Sequence, residues 1–406
     1  MDRYTPYLEW IDEQHEAMVR LLLDWSAINS GSYNLVGLNT MRQALMEKFG
    51  PLGTHMEEIS LVPMEVVDSA GEIVRIPLGK ALRITHRPTA KHQVFLGGHM
   101  DTVFEADHPF QKTTWRDANC LKGPGVADLK GGLVVMLKAL EALERSPYAG
   151  AIGWEVLINP DEELGSPGSA PLLEESAQCP HFGLLYEPTL PDGTLAGARK
   201  GSGNFTVVIR GISAHAGREP HTGRNAIVAL ARFILAVNAL NGQRPGVTVN
   251  LGKIEGGGPI NIVPDLAICH FNIRIGSAEE QTWVETELKR LCQIQERHGI
   301  TLRLQGGFHR PPKVLDPVTL KLFRMIAACG GELHLPVKWQ STGGCCDGNN
   351  LAAAGLPTVD TLGVRGGNLH TSEEFVLLDS LCERVRLSAL FLMKLGAGEL
   401  DMLEGP

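Results

Sequence analysis

The chain has 406 residues, 43% of them apolar, and a formal net charge of −9. That length exceeds the usual size of one hydrophobic core and the apolar share is enough to fill two, so two domains are expected. An acidic chain without a long basic run has little electrostatic reason to approach nucleic acid or an anionic membrane, and neither is an expected partner.

The first residues, MDRYTPYLEWIDEQHEAMV, place acidic side chains where a signal peptide needs a continuous apolar stretch. No apolar run reaches the ~18 to 20 residues of a membrane span, and a cytoplasmic location is expected. The eight cysteines are scattered without a CxxC pair, only Cys345 and Cys346 being adjacent. This supports neither a disulfide scaffold nor a cysteine zinc site, so reduced thiols are expected.

In chain order, HEAMVRLLLDWSAI and the segment around LNTMRQALMEKFG read as helices. From residue 92 the strand-length apolar runs QVFLGG, WEVLIN and FGLLYE alternate with helix-period segments such as LKGGLVVMLKALEALER. Such alternation predicts a mostly parallel sheet flanked by helices, an α/β architecture. Around residue 199 the pattern changes to strand NFTVVIRGI, helix NAIVALARFILAVNAL, strands GVTVNLGKI and DLAICHFNIRIG, helix TWVETELKRLCQIQERHG and strand ITLRLQGG. This β-α-β-β-α-β order suits a ferredoxin-like α+β domain. The prolines of HRPPKVLDP mark a linker, after which helix VTLKLFRMIAACGG and strand PTVDTLG resume the α/β pattern. The small domain, residues 200–312, is therefore expected as an insertion between the two parts of the larger one, 1–199 and 313–406.

Four stretches place strong metal-ligand residue types at the carboxyl end of a predicted strand or in its following loop. They hold His99 and Asp101 (FLGGHMDTVF), Asp128 (GPGVADLKGG), Glu162 and Glu163 (NPDEELGS) and Glu187 (LLYEPT). A fifth, GGNLHTSEEF, brings His370 after the late strand. In open α/β sheets ligands bind beyond the carboxyl ends of the strands, so these segments are expected to converge. Singly, a histidine is more often a surface or satisfied core residue than a ligand, and an acidic pair is usually a solvated loop. Jointly, and embedded in glycines that let the backbone approach closely, they fit two zinc ions held by two histidines and three carboxylates, one of them bridging.

The segments GHMDTVF, GVADLKGG, NPDEELGS, YEPT, ISAHAG and LHTSEEF, in this order and spacing, resemble the M20 family of dizinc metallopeptidases, especially its glutamate carboxypeptidase (carboxypeptidase G2-like) branch. The resemblance spans nearly the whole chain and makes the larger domain catalytic and the inserted one a dimerisation (lid) domain. It implies that His99, Asp128, Glu163, Glu187 and His370 hold two divalent ions per chain, zinc first with cobalt or manganese as alternatives, and that Asp128 bridges them. Asp101 would orient the imidazole of His99, and Glu162 would be the general base. His215 of ISAHAG would donate to the tetrahedral oxyanion, reaching the site of the other subunit of a homodimer. Arg274 in NIRIG and Asn261 in GGGPINIVP match the motifs that grip a free substrate carboxylate. The same resemblance implies a cis peptide bond between Asp128 and Leu129.

Some positions depart from the family's pattern. Lys200 and Arg310 add positive charge without matching the lysine and second arginine of the glutamate-specific enzymes, and Leu129 stands where many relatives carry a second Asp. Cys345 and Cys346 in STGGCCDGNNL read as small buried residues, since a thiolate nucleophile is redundant in a hydrolase that activates water. The activity implied is zinc-dependent hydrolysis of an amide bond, releasing a carboxyl-terminal amino acid from a peptide or N-acyl amino acid. An N-deacylase of the acetylornithine deacetylase or aminoacylase type is the alternative. A catalytically silent binding or assembly protein is the reading of another class, whose sign would be loss of the base or a ligand; all are present. No G-x-S-x-G elbow supports a nucleophilic hydrolase.

Overall fold

The computed structural model describes residues 1–296 and 299–400. Its larger sheet has six strands in the order His55–Ser60, Lys80–His86, Ile152–Asn159, His92–His99, Phe182–Leu185, Thr358–Val359. The last four run parallel to one another, and Lys80–His86 is antiparallel to both its neighbours. The sheet is thus mostly parallel, as the alternation predicts, with an antiparallel margin that the sequence reading lacked.

Burial on both faces explains the near-continuous apolar strands. Val94, Leu96, Val156, Ile158, Phe182 and Leu184 face the main core, where the helices His15–Ser26, Lys130–Arg145 and Asp379–Gly396 pack. The alternate residues Phe95, Leu157 and Leu185 face a smaller cluster with Leu173 and Leu351, from the helices Ala170–Ser176 and Asp347–Ala353. A strand with period 2 and helices above and below must be apolar at every position. Close approach also requires glycine: a Cβ on Gly132 would stand 1.9 Å from the carbonyl oxygen of Tyr186, so only Gly lets the helix Lys130–Arg145 lie against the segment leading to Glu187.

The inserted sheet is antiparallel throughout, in the order Thr248–Gly256, Leu266–Ile275, Gly201–Arg210, Thr301–Arg310. With the helices Ala226–Asn238 and Ala278–Gln295 this is the ferredoxin-like arrangement the element order predicts. Arg297 and His298, the last but one residues of the predicted helix segment, lie outside the described residues. Arg310 ends a strand rather than opening a linker, because its backbone continues the ladder to Ser202. Phe205, Val207, Ile209, Phe271 and Ile273 pack beneath the two helices. The opposite face is polar near the cleft, where Asn272 Nδ2 donates to Ser202 Oγ at 2.9 Å and to Asn204 Oδ1 at 2.8 Å.

A hairpin of the larger domain, Met64–Val67 and Ile73–Ile76, reaches that same face. Val67 packs on Val208 and Ile268, and Arg210 Nη2 donates to the carbonyl of Ala70 at 2.7 Å and to Glu72 Oε1 at 2.6 Å. Among the described residues no helix is long and apolar enough to cross a membrane. All eight cysteines are free.

Candidate active site

Four of the ligand-type residues foreseen at a strand end or in its following loop close or directly follow a strand of the large sheet. His99 closes its strand, Glu162 and Glu163 lie in a single turn Glu162–Leu164 just past Ile152–Asn159, and Glu187 follows Phe182–Leu185. Gly165, at φ 91°, ends the turn in the left-handed region that a side chain would resist. Asp128 precedes the helix Lys130–Arg145, and the Asp128–Leu129 bond is cis. His370 itself has φ 61° and Asn368 φ 53°, uncommon values for residues with side chains, of the kind that cluster at functional loops.

The geometry centres on Asp128. His99 Nε2 is 3.2 Å from its Oδ1 and His370 Nε2 is 3.2 Å from its Oδ2, so the two oxygens face one imidazole each. Glu187 Oε1 lies 3.8 Å from His99 Nε2, and Glu163 Oε2 lies 3.2 Å from His370 Nε2. Ligand atoms of His99, Asp128 and Glu163 all fall within 4.8 Å of one another.

Asp101 works on both neighbours at once. Its Oδ1 is 3.3 Å from His99 Nδ1, and its carbonyl oxygen is 3.0 Å from the same nitrogen, contacts that hold the Nδ1 proton and turn Nε2 toward Asp128. Its carboxylate also accepts the backbone N–H of Glu162 at 3.2 Å and of Glu163 at 3.1 Å, and the Ser32 hydroxyl at 2.7 Å. One side chain thus fixes the imidazole and the two-glutamate turn together.

Electrostatics says what the cluster would hold. Burial, and then the Asp128 carboxylate, pushes Glu163 up to about 8; burial pushes Glu187 up to about 7 against the pull of His99. Asp128 is also buried, yet His370 and His99 outweigh that and hold it well below the usual carboxylate range. His370 is raised to about 11 by its contacts with Asp128 and Glu163. Carboxylates sharing so small a volume, with imidazoles as their nearest counter-charge, are what a divalent cation relieves. Nitrogen and oxygen donors of this kind suit zinc and its neighbours in the transition series.

Glu162 has a partner that sequence spacing did not reveal. Arg310, only 4% exposed, donates Nη1 to Glu162 Oε1 at 2.5 Å and Nη2 to the Glu162 carbonyl at 2.8 Å and Ser166 Oγ at 2.9 Å. Burial raises the Glu162 pKa, with Arg310 opposing it. Glu374, in the same LHTSEEF segment as His370, was also missed: its carboxylate accepts the backbone N–H groups of Gly125, Ala127 and Asp128 at 3.2, 2.9 and 3.1 Å. It thereby holds the loop that presents Asp128.

The residues expected on the substrate side divide. Arg274 faces the cleft, its Nη1 2.9 Å from Cys345 Sγ, in a cavity of about 240 Å³ that Glu162, Glu163, Arg310 and His370 also line. His215 and Asn261 line neither this cavity nor the one beside it. They sit together on a short exposed ladder of the inserted domain, where His215 pairs with Ile262 and the Ala216 N–H donates to the Asn261 carbonyl at 2.9 Å. Lys200 donates to the Gly246 carbonyl at 2.9 Å and does not enter the cavities.

A model of peptidase family M20/M25/M40 matches residues 95–394. The chain belongs to this family. The match spans both the parallel sheet and the inserted domain, and it makes the protein a hydrolase of the M20 metallopeptidase kind. Among its M20 relatives, carboxypeptidase G2 of Pseudomonas sp. (strain RS-16) is 29% identical over 316 residues, 75% of this chain and 74% of the relative. A succinyl-diaminopimelate desuccinylase of Albidiferax ferrireducens is 24% identical over 378 residues, 88% of this chain and 93% of that one. The fold is shared with a tripeptidase from Staphylococcus aureus, with a TM-score of 0.74, 24% identity, and coverage of 95% of this chain and 99% of the other. Hydrolysis of amide bonds is the chemistry common to these M20 relatives.

Proposed function

We propose that the protein is a two-metal amide hydrolase that releases a carboxyl-terminal amino acid from a peptide or an N-acyl amino acid. The observation that carries the reading is Asp128, whose two oxygens face one histidine each at 3.2 Å, with Glu162 in the adjoining turn. His99, Asp128 and Glu187 would hold one ion, and Asp128, Glu163 and His370 the other. When bound, such ions polarise a carbonyl and lower the pKa of water. Glu162 takes a proton from the attacking water and returns it to the leaving nitrogen; the Arg310 contact falls on its Oε1 and leaves Oε2 for this transfer. Arg274 holds the free carboxylate of the leaving residue, a task suited to a planar guanidinium.

His215 and Asn261 are assigned to the partner subunit's site. Two observations support this: both are exposed, and Ile260, at 102% relative exposure, and Ile262 beside them present apolar surface that a second inserted domain would cover. His215 Nδ1 accepts the backbone N–H groups of Gly217 and Arg218 at 3.1 Å each. That fixes the tautomer with the proton on Nε2, which is the form able to donate to an oxyanion.

Purified protein is expected to carry up to two divalent ions per chain, to lose activity on chelation and to regain it with zinc, cobalt or manganese. Elemental analysis finding no bound transition metal in active protein would remove the reading. The desuccinylase likeness keeps an N-deacylase as the second reading; rates on dipeptides against N-acyl amino acids separate the two.

A further inference from the structure

We propose that the cleft face of the inserted sheet is a polar track, stopped by a hairpin of the larger domain, that takes the substrate as a short extended peptide. The inference rests on the amide-hydrolase reading above and deepens it by naming the substrate class: a peptide of up to about four residues in place of a small acyl group. The track lies in a cavity of about 660 Å³ that the hairpin strand Met64–Val67 also lines. It joins the cavity that holds Arg274 through a passage bordered by Glu163, Leu164, Asn204, Asn272 and His309.

Strand register builds the track. The cleft-facing residues of Gly201–Arg210 and Leu266–Ile275 stand in cross-strand rows: Ser202 with Arg274, Asn204 with Asn272, Thr206 with His270, then Val208 with Ile268. Asn250 extends the second row and Gln305 the third. Three polar rows are thus followed by an apolar one, and Val67 of the hairpin is seated on the apolar one. Arg210 and Arg303 hold the hairpin's turn by donating to the carbonyls of Ala70 and Gly71. Asparagine is depleted in strands, so three of them abreast, Asn250, Asn272 and Asn204, serve something other than the sheet. The side chains of Asn250 and Gln305 have no hydrogen-bond partner among the described residues and are left to meet a ligand.

A peptide with its terminal carboxylate on Arg274 enters this cavity by passing between the Glu163 turn and the asparagine row. That path carries its last peptide bond past Glu162 and Glu163 and lays the preceding residues along the second and third rows. Side-chain amides and hydroxyls offer both donors and acceptors to peptide N–H and C=O groups, and Pro63, Met64, Val66 and Pro167 face them with apolar surface. Away from the metal-ligand candidate Glu163, the cavity holds Glu65 and Lys253, one charge of each sign, and His270, already in contact with Thr206 and Glu255. Hydrogen bonding and length, rather than charge, therefore set the selection. Arg274 and His270 are four positions apart on one strand, about 14 Å at ~3.4 Å per residue, and an extended chain covers that span with about four residues. Beyond it the chain meets the hairpin.

The test uses full-length, metal-reconstituted protein and two series of N-acetyl peptides, ending in leucine or in glutamate, with zero to six alanines before that residue. Initial release of the terminal residue is the readout. Within each series kcat/KM is expected to rise by about 10-fold or more from no alanine to two or three, roughly the worth of two added hydrogen bonds. It should then fall by about 10-fold with four or more alanines, as the chain meets the hairpin. Asn250→Ala and Gln305→Ala should each cut the gain from two alanines by at least ~3-fold, whereas a merely structural role would lower every member of a series alike. Arg210→Ala or Arg303→Ala, each freeing the hairpin's turn, should relax the fall for longer chains, and the two guard against one variant failing to fold. Rates that are flat across a series, highest without alanine, or still rising at six alanines overturn the inference. So do Asn250→Ala and Gln305→Ala proteins whose gain from two alanines is unmoved. Release of no amino acid from any amide is a separate outcome that strikes the amide-hydrolase reading itself and takes the inference with it.

Discussion

Glu162→Gln is expected to lower kcat by ~10² to 10⁴-fold, the usual worth of a general base, while metal content stays at the level of the unmodified protein. Glu163→Ala is expected to lose metal as well as activity. The two side chains are adjacent in sequence, and both backbone N–H groups end on the same Asp101 carboxylate. Their carboxylates nevertheless part: Glu163 Oε2 meets His370 at 3.2 Å, whereas Glu162 Oε1 meets Arg310. Gln keeps the shape of Glu162 and can still accept from Arg310 but cannot take a proton from water, so the loss isolates proton transfer. Elemental analysis beside steady-state rates is the check, and equal metal loss in both variants would refute the division of roles.

The second large effect is expected from His215→Ala, with kcat down by about 10² to 10³-fold, typical of losing one oxyanion donor, and with metal retained. Its position on an exposed ladder away from both cavities means that a donor role needs a second chain. Mixing His215→Ala with Glu162→Gln under conditions of subunit exchange should therefore restore activity. Each mixed dimer then has one site with an intact Glu162 and a partner's intact His215, so recovery should approach one working site per mixed dimer. If mass measurements confirm exchange and nothing is restored, His215 acts within its own chain or has no part in the reaction.

Much of this site was legible because His99, Glu162, Glu163 and Glu187 stand at one kind of place, the carboxyl end of a buried strand, and such strands announce themselves as unbroken apolar runs. Partners brought in from distant segments gave no such signal. Arg310 is 148 positions from Glu162; it reads as part of a proline-rich linker because the prolines follow it directly, although it closes a strand. Glu374 could have been found, since it stands four residues after His370 within the same motif. The antiparallel margin was missed for a different reason. The strand His55–Ser60 is half-exposed and carries two glutamates, so it lacks the continuous apolar run that marks its central neighbours. The hairpin Met64–Val67 and Ile73–Ile76 buries itself chiefly against the other domain, and that is a contact no local period encodes.

The most direct measurement is the release of free amino acid from a panel of N-acyl amino acids and dipeptides, made in parallel on metal-reconstituted protein, on chelated protein and on metal-treated Asp128→Ala. The account predicts turnover in the first and almost none in the other two, because Asp128 faces both histidines, one with each oxygen. Undiminished turnover by the chelated protein or by Asp128→Ala would contradict it.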